Sequence, residues 1–217
     1  MHDDSMSPLD LARRRLRRVA VIGWLLAMAA AVLVFVWQRD RLASAERALP
    51  ILAEVPEFTL IDQRGTSIDR QALRGRPWVA DFIFTRCPGI CPTLTRRMVD
   101  LAADLPADRV RLVSVSVDPE HDTPDVLRAY AERHDAGENW HFLTGPTATI
   151  YPLIRDGFLL SVDPAPPTPE GVEVIEPIVH SNRFVLVDAV GQIRGYYNAF
   201  DSADLERLRN DAALLLR

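Results

Sequence analysis

Cys87 and Cys91 are the only cysteines in a chain of 217 residues. Thiolates attack disulfides and bind soft metal ions, so a pair this close in sequence is first of all a chemical site. A structural disulfide is the competing use. Such a bridge stabilises mainly by closing a long loop of the unfolded chain, and this pair closes almost none. The run Thr85-Arg86-Cys87-Pro88-Gly89-Ile90-Cys91-Pro92 follows an apolar segment and leads into a helical pattern. Unpaired N–H groups and the positive end of a helix dipole favour thiolate there. The spacer Pro88-Gly89-Ile90 is one residue longer than in the usual Cys-x-x-Cys redox motif, which relaxes the geometry and suits two thiolates holding one ion. Two sulfurs alone make a linear Cu(I) site, and one added imidazole makes it trigonal. Zinc would want more ligands.

Copper chemistry directs attention to the histidines. His2 precedes an apolar N-terminal run, on the far side of it from the cysteines. His121, in Asp118-Pro119-Glu120-His121-Asp122, reads as a solvated loop residue. His134 closes a helix, where an imidazole complements the negative pole. His141 follows Trp140 in a short strand and reads as packing or surface. His180 ends the proline-rich stretch 162–179, just before a strand. A long irregular loop in a compact domain is usually functional or mobile, and this one ends where it can carry His180 over the dithiol; spacing leaves that approach open.

The elements that must position these residues follow from periodicity. Phe58 to Ile61 reads as a short strand. Pro77 to Phe84, PWVADFIF, is a nearly continuous apolar run, as in a central strand buried on both faces. Pro92 suits the first position of a helix whose apolar stripe is Leu94, Met98, Leu101 and Leu105. Val110 to Val117 is a second buried strand. Thr123-Pro124-Asp125 starts a helix with an N-cap, a proline and an acid in its first turn. Trp140 to Leu143 is a short strand, Thr147 to Arg155 a short helix, Arg183 to Val187 and Gln192 to Tyr197 a strand pair, and Ala203 to Leu215 the last helix. This order predicts an α/β domain with a mixed central sheet flanked by helices.

Residues 19–37, VAVIGWLLAMAAAVLVFVW, carry no charge, close to the length a helix needs to cross about 30 Å of hydrocarbon. Arg13, Arg14, Arg15, Arg17 and Arg18 precede it, against Arg39, Arg41 and Arg47 after it. The positive-inside rule then keeps the N-terminus cytoplasmic and sends the remainder across. The expected organisation is a basic tail over 1–18, an anchor over 19–37, a linker over 38–53 and a domain over 54–217. For a bacterial chain this means a single-pass protein of the inner membrane with its domain in the periplasm. A cleaved signal peptide is the rival, with Ala43-Ser44-Ala45 as its site, but its apolar region would exceed the usual length. All 25 basic residues are arginine and the net charge is −5, which argues against a nucleic-acid binder.

The segments FTLIDQRG, FIFTRCPGICPTLTRRM, VSVSVDPEHDTPDVLRAYA and VHSNRFVLVDAVGQIRGYY, in that order, resemble the Sco/SenC family of copper chaperones. The resemblance runs from about Pro56 to the C-terminus. It implies a thioredoxin-like fold, copper in the Cu(I) and Cu(II) states on Cys87, Cys91 and His180, and a role in assembling cytochrome c oxidase. It further implies that Asp118 lies near the site, outside the ligand set; by itself Asp118 reads equally well as a turn former ahead of Pro119. Two departures bear on affinity or copper redox preference. The family often has aspartate before the histidine, where Val179 stands, and an acid in the spacer, where Gly89 stands. The implied partners are cytochrome c oxidase subunit II and either other copper chaperones or thioredoxin-like reductases. A non-enzymatic metallochaperone therefore competes with a thiol–disulfide oxidoreductase, which needs the two thiols and a suitable potential but no His180. A peroxiredoxin-like enzyme fits poorly, because Thr85 is only two residues before Cys87.

Overall fold

The computed structural model describes residues 49–87, 89–160 and 181–216, together with 24, 28–29 and 32–36. The chain divides into two units, 1–48 and 49–217. In the first, the described residues are helical, but most of the expected membrane helix lies outside the described residues. No helix among the described residues is long and apolar enough to cross a membrane.

The second unit is an eight-stranded mixed sheet with helices. Its strands are β1 (Ala53–Glu54), β2 (Thr59–Asp62), β3 (Ser67–Asp69), β4 (Trp78–Ile83), β5 (Arg111–Ser116), β6 (Trp140–Thr144), β7 (Arg183–Val187) and β8 (Gln192–Asn198), in the spatial order β1-β8-β7-β4-β5-β6-β2-β3. The helices are α1 (Cys91–Asp104), α2 (Pro124–Arg133), α3 (Thr147–Pro152), which runs on as a π-helical turn over Leu153–Gly157, and α4 (Ser202–Leu215).

β4 is central because it can be. All six of its residues are buried, and near-continuous apolar strands belong where both faces are covered. It pairs parallel to β5 and antiparallel to β7, and β5 pairs parallel to β6. The intervening α1 and α2 are the crossovers that parallel neighbours require. α1 buries Leu94, Met98 and Leu101, while Leu105 becomes its C-cap. α2 buries Leu127, Tyr130 and Ala131, with Thr123 as N-cap and Asp125 in the first turn. β8, with one face on the core, alternates instead, burying Ile193, Gly195 and Tyr197.

Two edge strands were not readable from sequence. β3 is three residues long and β1 two, too short for any periodicity to register. β1 straddles the expected boundary between linker and domain, with Ala53 on the linker side. Leu52 N–H donates to Ile193 O at 2.9 Å and Val55 N–H to Gly191 O at 3.0 Å, so backbone hydrogen bonds bind this stretch to β8 despite its mixed composition.

Candidate functional site

β4 and β5 run in register, with Ile83 beside Ser116, so the loops leaving their carboxyl ends start side by side. Open α/β sheets build ligand sites at such ends. The first loop turns at once, Cys87 N–H donating to Phe84 O at 3.3 Å, and delivers Cys91 as the first residue of α1. Ile90 caps that helix without a side-chain bond, and a proline follows in the first turn.

Cys87 and Cys91 are both free and buried, 7% and 3% exposed. Their side chains are hydrogen bonded to each other, so the two sulfurs are neighbours. The helix N-terminus expected to favour thiolate is present, yet at Cys91 it is outweighed. Burial pushes the Cys91 thiol well up; the neighbouring Cys87 and the charge of Asp81 push the same way, and a hydrogen bond with the Phe84 backbone pulls against them. Sequence position reveals a helix end but not how deeply the sulfur is set beneath it. Cys91 therefore keeps its proton in the metal-free dithiol. A soft cation arriving between the sulfurs would displace that proton and neutralise the charge that burial opposes.

Beneath the pair, the Asp81 side chain of β4 is wholly buried. Ser114 Oγ donates to its Oδ1 at 2.5 Å, and Trp140 Nε1 donates to Ser114 Oγ at 2.9 Å, while Oδ2 has no partner. Burial pushes its carboxyl up to about 7. The signal in the sequence was an acid inside a strand otherwise apolar on both faces.

The second loop carries Asp118, whose Oδ2 accepts from Arg86 Nε at 2.6 Å. Its carbonyl accepts from His121 N–H and Asp122 N–H at 3.1 and 2.9 Å, so the residue forms the turn and also contacts the neighbour of Cys87. Asp122, given no role by the sequence, is fully buried against Thr85 and Ser116. Only the fold reveals this, because Thr85 and Asp122 meet across 37 residues.

The histidines divide clearly. His134 is the C-cap of α2, its ring 4.5 Å from that of Tyr130. His141 Nδ1 lies 3.2 Å from Asp62 Oδ2 and 3.0 Å from Arg64 Nη2. His121 is exposed. Among the described residues no group of three or more His, Cys, Asp and Glu is arranged to hold a metal. The described site thus supplies two soft sulfurs. His180, with the stretch 162–179, lies outside the described residues.

Residues 49–212 match the family model described as SCO1/SenC. The chain belongs to the SCO1/SenC family. Among its relatives is the SCO1 protein homolog of Bacillus subtilis, 35% identical over 165 residues, 75% of this chain and 82% of that one. Among solved structures, BsSco, described as a member of the Sco family of cytochrome c oxidase assembly proteins with an identified disulfide switch, superposes with a TM-score of 0.63 at 34% identity, over 77% of this chain and 96% of that one. ScoI of Bradyrhizobium japonicum with copper bound gives a TM-score of 0.59 at 28% identity, over 71% of this chain and 99% of that one. The domain thereby has the thioredoxin-like Sco fold.

Proposed function

We propose that this chain carries copper as its cargo, as a membrane-anchored metallochaperone for the binuclear copper centre of cytochrome c oxidase subunit II. Cys87 and Cys91 are the sulfur ligands and His180 is the third, with one ion per chain in either oxidation state. Asp118 acts from outside this set, through Arg86. The helix over 19–37 anchors the chain in the bacterial inner membrane, with the N-terminus cytoplasmic and the domain in the periplasm; the arginine distribution supports this orientation. One observation carries the reading above all others: two free, neighbouring, buried thiols at the carboxyl ends of parallel strands. The copper bound by the Bradyrhizobium relative supports the choice of ion.

The second reading is a thiol–disulfide oxidoreductase that reduces the cysteines of that centre, and the disulfide switch of BsSco favours it. In that reaction one target disulfide gains two electrons and two protons as Cys87 and Cys91 close their own disulfide. Anaerobic Cu(I) competition titration of the reduced full chain separates the two. One copper per chain is expected, with Cys91→Ala losing at least ~100-fold in affinity and His180→Ala at least ~10-fold, since even partners outside the ligand set are typically worth 10–100-fold. If the parent chain retains no copper, the chaperone reading falls and the reductase stands. If His180→Ala binds both oxidation states as the parent does, His180 is not a ligand.

A further inference from the structure

The two residues immediately before Cys87 are held by two carboxylates of one loop. Arg86 is held by Asp118 (Nε to Oδ2, 2.6 Å). Thr85 is held by Asp122 in two ways: its Oγ1 donates to Oδ1 at 2.5 Å, and its backbone N–H donates to Oδ2 at 3.1 Å and to Oδ1 at 3.4 Å. Ser116 joins the two acids, its Oγ donating to Asp122 Oδ2 at 2.6 Å and accepting from Asp118 N–H at 3.1 Å. Together with the peptide bond between Thr85 and Arg86, this is a closed ring of contacts around the stem of the Cys87 loop. Its inner member, Asp122, is 0% exposed and both of its oxygens are satisfied by neutral donors.

A buried carboxylate is costly, and one so completely satisfied fixes its donors in place. Thr85 is past the end of β4, where the sheet no longer defines the backbone, and Asp122 supplies the missing restraint. We infer that Asp122 is a positioning residue of the dithiol: through Thr85 it sets where Cys87 stands relative to Cys91. The inference rests on the proposed copper role only for its metal readout. It also predicts a property of the dithiol alone, because a disulfide tolerates a narrow range of Cα separations and dihedral angles.

The test uses the full chain with Asp122→Asn, the near-isosteric Thr85→Val, Thr85→Ser, which keeps the hydroxyl, and Asp188→Asn as a remote control. Asp188 is a buried turn acid bonded to Val190, Gln192 and Arg194, beyond the end of β7 that pairs with the start of β4. Cu(I) affinity and the dithiol–disulfide equilibrium constant against glutathione are measured for each. Asp122→Asn and Thr85→Val are expected to lower copper affinity ~10-fold or more. They should also shift the equilibrium constant by about tenfold, which is ~30 mV for this two-electron couple. Thr85→Ser should match the parent, and Asp188→Asn should lose stability while leaving both readouts unchanged. Folded Thr85→Val and Asp122→Asn chains with parental values in both measurements would overturn the assignment, as would equal shifts in Asp188→Asn. A parent that binds no copper while the equilibrium constant still shifts in these variants would end the copper proposal and leave Asp122 as the positioning residue.

Discussion

Asp81 and Asp122 are both wholly buried, one in the middle of β4 and the other in the loop after β5, and they are solvated by the protein very differently. Asp81 has one side-chain donor, the Ser114 hydroxyl, and an oxygen with no partner. Asp122 has the Thr85 hydroxyl, the Thr85 N–H and the Ser116 hydroxyl. The difference lies in the backbone. Along β4 the strand is paired with β5 through every residue from Trp78 to Ile83, so main-chain donors there are largely engaged in the ladder, and besides its own backbone the carboxyl is reached by a side chain from the adjacent strand. Where the strands end, N–H groups become available and a carboxylate can gather them. Mid-sheet, a buried acid becomes an electrostatic element that opposes charge nearby; at the strand ends it becomes a structural pin.

The largest effect that would test this contrast is a pH dependence of stability. Burial raises the Asp81 carboxyl from 3.8 to about 7. Between those values the folded chain holds a proton that the unfolded chain has released, so stability is greatest below the lower value, falls as pH rises towards 7 and levels off above it. At 1.36 kcal/mol per unit, this amounts to roughly 4 kcal/mol at most. Urea unfolding of the parent and of Asp81→Asn at pH 5 and pH 7 should show the loss as the difference between the two chains, since the lowered pKa values of His134 and His141 act in the opposite direction in both. The same substitution should lower the pH at which Cys91 ionises, since the charge of Asp81 is one of the causes that raise it; thiolate absorbance would record this. If Asp81→Asn kept the pH dependence of the parent, burial would not raise the Asp81 carboxyl.

Next in size is the removal of the pin. Asp122→Ala leaves the Thr85 N–H, the Thr85 hydroxyl and the Ser116 hydroxyl without their acceptor. Each donor left buried and unsatisfied costs ~1–3 kcal/mol, and partial access to water reduces the sum, so a destabilisation of about 3 kcal/mol is expected. Denaturant unfolding at one fixed pH measures it. A loss below ~1 kcal/mol would show that water replaces the carboxylate without cost and that the loop stem is not held by it.

These two acids also mark what could be read without the fold. The central strands, both long crossover helices and the location of Cys87 and Cys91 were legible because apolar runs, a regular stripe in α1 and a proline at a helix start are local signals. The segment Asp118 to Pro124 was legible as a motif, with Asp118 near the site, His121 in a solvated loop and Thr123-Pro124 at a helix start, but Asp122 had no role in it. Asp122 acquires its role from Thr85, which the parallel register of β4 and β5 brings to it, and register is not written in either loop. Asp81 was hidden by its own strand, since one acid scarcely alters the apolar character of PWVADFIF. The depth of Cys91 was equally hidden. A helix N-terminus predicts a lowered thiol, while burial of that same residue raises it, and burial is a property of the packed chain.

The smallest effect separates the pin from the helix that follows it. Thr123, the neighbour of Asp122, caps α2 by accepting from Val126 N–H at 3.4 Å, a long bond on an exposed residue. Thr123→Ala should therefore cost about 0.5–1 kcal/mol, at the low end for an N-cap. Because the carboxylate of Asp122 bonds the Thr85 and Ser116 side of the loop and not the helix, the dithiol–disulfide equilibrium constant of this variant should equal that of the parent. If Thr123→Ala moved that constant as far as Asp122→Asn does, the position of the Cys87 loop would be governed by where α2 begins, and the distinction between a mid-sheet acid and a strand-end pin would give way to one between helix cap and strand.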